Sequence, residues 1–161
     1  MSSGRSDVTV DLVDWDDPDA AALRAAQRRE LDARYGSDDH EPGVAPTAAD
    51  VPVFVVARDQ DGVAVACGGL RPLDPGVLGP HVVEIKRMYA VPAARGTGAA
   101  VAVLRELERQ AAAAGATRLV LETGTGQPDA QRFYEREGYE RVPLFGPYAA
   151  STISVCYGRT L

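Results

Sequence analysis

Between positions 84 and 100 the chain reads Glu-Ile-Lys-Arg-Met-Tyr-Ala-Val-Pro-Ala-Ala-Arg-Gly-Thr-Gly-Ala-Ala. The order of residue types predicts a strand, a glycine-bearing turn and the first turn of a helix. Such a junction is an anion cradle. The early amides of a helix have no intrahelical acceptor, and the aligned peptide dipoles place partial positive charge at the same end. Gly96 and Gly98 would let the backbone approach a phosphate without an intervening Cβ, Arg95 would add a cation at the rim, and Ala99 and Ala100 would keep the first turn narrow. Two common phosphate patterns do not fit. No Lys follows the glycines as in G-x-x-x-x-G-K-[ST], and Val101 stands where G-x-G-x-x-G needs its third glycine. Gly124-Thr125-Gly126 completes neither pattern and reads as a turn opening the next helix.

The elements that would carry this junction can be read along the chain. Val8, Val10 and Leu12 alternate with polar residues and predict a strand with one buried face. Asp16-Asp17-Pro18-Asp19 reads as a helix start, Ala20 to Tyr35 as the helix and Gly36 as its stop. Ser37 to Pro52, rich in proline and acids, is expected to be a mobile, solvated loop. Val53–Ala57 and Val63–Leu70 flank Asp59-Gln60-Asp61-Gly62 and predict an antiparallel hairpin. A strand from His81 to Val91, a helix from Gly98 to Ala114, a strand over Arg118–Thr123 and a helix over Asp129–Glu137 follow, with closing strands at Tyr139–Val142 and Ile153–Tyr157. The fold class is therefore α/β (α+β), one domain over residues 1–161 around a mixed sheet. Strict alternation would put Glu84, Lys86 and Met88 on one face of their strand, and Ile85, Arg87 and Tyr89 on the other.

Composition narrows the partners. With 45% hydrophobic and 25% charged residues, the 161-residue chain has an ordinary globular balance and needs no staple. Seventeen Lys and Arg against 23 Asp and Glu give a net charge of -6, which argues against a sequence-independent grip on nucleic acid. No apolar run has bilayer-spanning length, and the first seven residues lead into no signal-peptide core, so no membrane partner and a cytoplasmic location are expected. Cys67 and Cys156 are far apart and read as free thiols, with a single disulfide left open. Two histidines, His40 and His81, are too few for a histidine-rich centre, and no metal is expected.

One further pattern fits the cradle: [QR]-x-x-G-x-[GA], satisfied by Arg95, Gly98 and Ala100 three residues after Pro92. It resembles the pyrophosphate-binding motif of the GNAT superfamily of acetyl-CoA-dependent N-acetyltransferases. Downstream, Gln127-Pro128-Asp129-Ala130-Gln131-Arg132-Phe133-Tyr134-Glu135-Arg136-Glu137-Gly138-Tyr139 resembles that family's N-x-x-A-x-x-x-Y-x-x-x-G-[FY], with Gln127 in place of the usual Asn. The resemblance covers the chain from about Val8 onward. It implies a mostly antiparallel sheet of six to seven strands flanked by about four helices. It also implies direct attack of an amine on the thioester of acetyl-CoA, through a tetrahedral oxyanion.

On that resemblance, Met88, Tyr89, Ala90, Arg95, Gly96, Thr97, Gly98, Ala99, Ala100 and Gln127 hold the cosubstrate. Tyr134 is the acid for the leaving sulfur, since a phenol stays protonated at neutral pH. Glu84 is the leading base, with ordered water as the other route. Glu122, a second carboxylate near the same cleft, is a candidate for direct proton transfer or amine binding, and Tyr148 is a candidate acceptor contact. The acceptor is expected to be a small-molecule primary amine, and a homodimer is left open. A non-catalytic acyl-CoA sensor is the alternative function, and a nucleotide-binding domain a weaker one.

Overall fold

The computed structural model describes residues 8–161; the reading of residues 1–7 as carrying no leader lies outside them. Thirteen elements follow one another, eleven of them strands or α-helices: β1 (Thr9–Val13), α1 (Pro18–Tyr35), β2 (Val53–Arg58), β3 (Ala64–Pro72), the single turn α2 (Pro75–Leu78), β4 (Val82–Ala90), α3 (Ala99–Ala113), β5 (Arg118–Gly124), α4 (Pro128–Arg136), β6 (Glu140–Val142) and β7 (Ser154–Thr160), with short 3-10 turns at Pro92–Ala94 and Gly146–Tyr148. Among the described residues the strands form one seven-stranded sheet in the order β1-β2-β3-β4-β5-β7-β6, in which β4 and β5 are the only parallel pair. This is the expected mixed, mostly antiparallel sheet with four helices.

Local chemistry sets the boundaries. The Asp17 carboxylate accepts from the amides of Asp19 and Ala20 at 3.0 Å each, capping α1 ahead of Pro18, and Gly36 ends it at φ 74°. Such a cap contributes about 1 kcal/mol. Leu12, expected on the buried face of β1, is 59% exposed; β1 is an edge strand with a neighbour on one side only. Cys67 and Cys156 are both free and buried. Among the described residues no helix is long and apolar enough to cross a membrane.

One face of the sheet packs Val55, Ile85, Leu119, Leu121 and Tyr157 against Val103, Leu104 and Leu107 of α3 and Tyr134 of α4. The opposite face carries two separate apolar clusters. One joins Ala20 and Leu23 of α1 to Phe54, Val56, Cys67 and Tyr89, and the other joins Val82, Val120 and Cys156 to Phe145 and Tyr148. Between them the sheet presents buried polar groups, Glu84 and Lys86.

The sheet departs from regularity at one place that matters. Cys67 pairs with Tyr89 and Gly69 with Lys86, so Gly68 alone opposes Arg87 and Met88. Arg87 absorbs the extra residue with φ at +58°, a bulge on β4. The bulge overturns strict alternation. Beyond it Met88 and Ala90 pack into the same cluster as Ile85, whereas Tyr89 turns to the α1 side. Lys86 and Arg87 both reach Glu41. Gly68 makes room for this. A Cβ there would lie 2.9 Å from Leu107 Cδ1 and 3.2 Å from Met88 Sδ.

Candidate active site

Pairing between β4 and β5 runs only from Val82↔Arg118 to Ile85↔Leu121. From Lys86 onward the two strands part, and backbone groups on that edge of β4 are released from the ladder. A cavity of about 540 Å³ opens there, within the size range of small-molecule sites. It is lined by Met88, Tyr89 and Ala90 of β4, by Arg95, Gly96, Gly98, Ala100 and Val101 of the turn and α3, and by Gln127, Ala130, Phe133 and Tyr134. The sequence-predicted cosubstrate residues Met88, Tyr89, Ala90, Arg95, Gly96, Gly98, Ala100 and Gln127 are thus brought to one wall system, whereas Thr97 and Ala99 do not line it.

The cradle can be checked amide by amide. Arg95 and Thr97 donate to the carbonyls of Pro92 and Ala94, and the Thr97 hydroxyl also turns back to Ala94. The Ala99 side chain is in the core. The first helical backbone bond beyond the turn is Ala102 to Gly98, leaving the amides of Gly96, Gly98, Ala99 and Ala100 without an acceptor among the described residues. Gly96 at φ 80° and Gly98 at φ 92° hold the conformation that aims them outward, one that costs an L-residue roughly 1–2 kcal/mol. Of the six amides from Arg95 to Ala100, four are therefore free to meet a ligand. Arg95 is anchored by two hydrogen bonds to the Glu30 carboxylate, at 2.7 and 3.0 Å, and by one to the Ala90 carbonyl at 3.1 Å. These groups fit a diphosphate.

A second cavity of about 90 Å³ adjoins the first, with Gln27, Leu31, Met88, Gln127, Ala130 and Tyr134 lining both. Its remaining wall is mostly polar, Arg28, His40, Glu41, Lys86, Arg87, Glu122 and Thr123, with Ile85 and Leu121 between them. Tyr134 sits at the junction. Burial alone, with no side-chain hydrogen bond contributing, pushes its phenol well above the ordinary value, so it stays protonated. Burial also pushes the Glu122 carboxyl up to about 7, although the Ser154 hydroxyl donates to it at 2.7 Å and Lys86 opposes the rise. A carboxyl near neutrality is suited to proton transfer.

Two of the predicted site residues lie away from both cavities. Glu84, the leading base, lines neither cavity. It is 1% exposed, accepts from Arg71 Nη2 at 2.8 Å and from the Tyr148 hydroxyl at 2.6 Å, and lies 3.7 Å from Lys86 Nζ. Tyr148, a candidate acceptor contact, lines neither cavity and is fully buried; burial and Glu84 hold its phenol protonated, and it accepts from Lys86 Nζ at 3.0 Å. Both belong to a network beneath the pocket that orients Lys86. The loop expected to be mobile is pinned. The His40 ring is 2.7 Å from Asp32, and Glu41 pairs with Lys86 and Arg87. Burial pushes the Glu41 carboxyl up, but Lys86 and Arg87 outweigh it and leave it below the usual range.

Sequence reasoning missed Gln27, Glu41, Lys86 and Arg87 as cavity residues. Gln27 sits mid-helix, where no motif marks it. Its Nε2 donates to the Met88 carbonyl at 2.9 Å, and its Oε1 is buried without a partner among the described residues.

Known proteins give the same arrangement a context. Residues 12–139 match the sequence model of the Acetyltransferase (GNAT) family. An IAA acetyltransferase of Azospirillum brasilense is 36% identical over 102 residues, 63% of this chain and 63% of that protein. An uncharacterised N-acetyltransferase of Schizosaccharomyces pombe is 31% identical over 88 residues, 55% of this chain and 52% of that protein. The matched stretch thus spans between about half and just under two thirds of the length of these curated relatives. A solved Klebsiella pneumoniae structure named for acyl-CoA N-acyl transfer superposes with a TM-score of 0.76 at 30% identity, covering 96% of this chain and 97% of the other.

Proposed function

From the premise that the chain belongs to the acetyltransferase (GNAT) family, whose members transfer acyl groups from acyl-CoA, we propose that it acts as one domain moving the acetyl group of acetyl-CoA to a primary amine of a small molecule. The observation that carries this reading is the shared wall. Tyr134 and Met88 line both the larger cavity beneath the free amides and the smaller polar one beside Glu122. A donor and an acceptor entering from the two sides would meet there.

In this reading the amides of Gly96, Gly98, Ala99 and Ala100 hold the diphosphate, and the open edge of β4 at Met88–Ala90 aligns the pantetheine. Gln127 lies at the mouth of both cavities, where its amide can serve the same arm. Acetyl-CoA supplies the activated thioester, which the amine converts to an amide with release of coenzyme A. Glu122 takes the proton that the incoming ammonium must lose, in place of Glu84. Tyr134, held protonated by burial, donates to the departing sulfur. The apolar wall of Phe133, Ala130 and Leu31 excludes water from the carbonyl.

The test is thiol release from acetyl-CoA against a panel of amines, run on the wild-type protein and on Tyr134→Phe. Release is expected with at least one amine, and the variant should lose about 10²–10³ in kcat with an unchanged thermal midpoint, because no side-chain hydrogen bond acts on that hydroxyl. Coenzyme A binding without release for any amine would favour the sensor reading. Failure to bind coenzyme A would end both.

A further inference from the structure

Three cations of the smaller cavity point at one carboxylate. Glu41 Oε2 lies 3.3 Å from Lys86 Nζ, and its Oε1 lies 2.9 Å from Arg87 Nη2 and 4.0 Å from Arg28 Nη1. Lys86 and Arg87 are nearly withdrawn from water, with side chains 6% and 9% exposed. Buried cations are costly unless an anion meets them. The neighbouring carboxylate, Glu84, lies 3.7 Å from Lys86 Nζ but is shared with Arg71 and Tyr148, and it reaches neither Arg87 nor Arg28. Glu122, raised to about 7, supplies only part of a charge at neutral pH. The cavity therefore carries more positive than negative charge, although the chain as a whole is acidic.

The anion that meets these cations comes from the least regular part of the fold. Glu41 lies in the segment between α1 and β2, held by side-chain contacts rather than by a ladder or a helix. Its carboxylate occupies the site as a ligand's would and can be exchanged for one without breaking secondary structure. The same lining holds a complementary, unmet acceptor. Gln27 must present Nε2 to the Met88 carbonyl, since only the nitrogen can donate, and this fixes Oε1 as a buried acceptor with no donor to meet it among the described residues. An ammonium or amine N–H is such a donor. The volume of about 90 Å³, some three waters' worth at roughly 30 Å³ each, admits an amine, one or two carbons and a carboxylate once Glu41 swings aside.

We propose that the acceptor is an amine carrying a free carboxylate close to its nitrogen, as in an amino acid, with the carboxylate displacing Glu41 from Lys86, Arg87 and Arg28 and the nitrogen held at Gln27 Oε1. This deepens the amine-transfer reading above and rests on it. Glu41 is then an internal competitor for the substrate, and Arg28, whose side chain is 36% exposed, is the outermost of the three cations.

The experiment compares acetyl transfer to matched sets: an amino acid, its carboxamide and the corresponding decarboxylated amine. The acid is expected to exceed the other two in kcat/KM by at least about 30-fold, the size of one lost charge-assisted hydrogen bond. Arg28→Gln should cut that preference about tenfold, chiefly by raising KM for the acid. Glu41→Gln should increase it by lowering the same KM. A coenzyme A-induced melting shift in each variant establishes that it is folded. Transfer to all three compounds at similar rates, or an unchanged preference in both variants, overturns the carboxylate subsite and leaves amine transfer standing. Transfer to none, with coenzyme A bound, overturns both.

Discussion

Replacing Glu122 by Gln is expected to make the protein more stable and less active, in a way that depends on pH. The carboxyl moves from an ordinary 4.5 to about 7 because burial disfavours its charged form. A raised acid is held protonated by the fold. Its cost to stability is absent below about pH 4.5, grows as pH rises towards 7, and is constant above that. At 1.36 kcal/mol per factor of ten, the full displacement corresponds to about 3 kcal/mol, nearer 2 once water reaching the cavity is allowed for. Gln cannot ionise and its amide oxygen still accepts from the Ser154 hydroxyl, so the variant escapes the cost. In urea denaturation, wild type and variant should agree at about pH 4 and differ by about 2 kcal/mol at about pH 8.5, the variant being more stable. In turnover, the wild-type rise in kcat/KM through pH 7 should vanish in the variant, with a loss of about 10²–10⁴. An equal stability difference at both pH values, or a rising limb that survives the substitution, would refute the reasoning.

Other substitutions separate support from chemistry. Glu84→Ala should destabilise by about 3–5 kcal/mol, since it strands half-buried Arg71, buried Lys86 and the Tyr148 hydroxyl. Per folded molecule its kcat should stay within a few-fold of wild type, measured by active-site titration; a hundredfold loss in the folded fraction would restore Glu84 as the base. Gly68→Ala should cost about 1–3 kcal/mol and lower kcat, because its Cβ drives against Leu107 and Met88 at the bulge. Thermal melts beside turnover check this, and an unchanged kcat would mean that Met88 does not position the donor.

The residue types alone decided most of the framework. Asp17, Pro18 and Gly36 bound a helix by capping chemistry that acts within a few residues, and the turn at Arg95–Ala100 announces its own free amides. Such signals are local, so they survive in a linear string. The downstream stretch from Gln127 to Tyr139 likewise brought Tyr134 to the cavity's edge. What the string left open depends on partners distant in the chain. The bulge at Arg87 arises where one strand must match another, and it reverses which side chains face which cluster. Glu84 and Glu122 are similar acids on neighbouring strands, yet Arg71 and Tyr148 close over the first, while the parting of β4 from β5 leaves the second lining a cavity. Glu41, read as one more solvated acid, acquires its place only when β4 brings Lys86 and Arg87 beneath it. Burial and charge pairing are properties of the assembled sheet, and only the tertiary structure could distribute them among carboxylates that look alike in sequence.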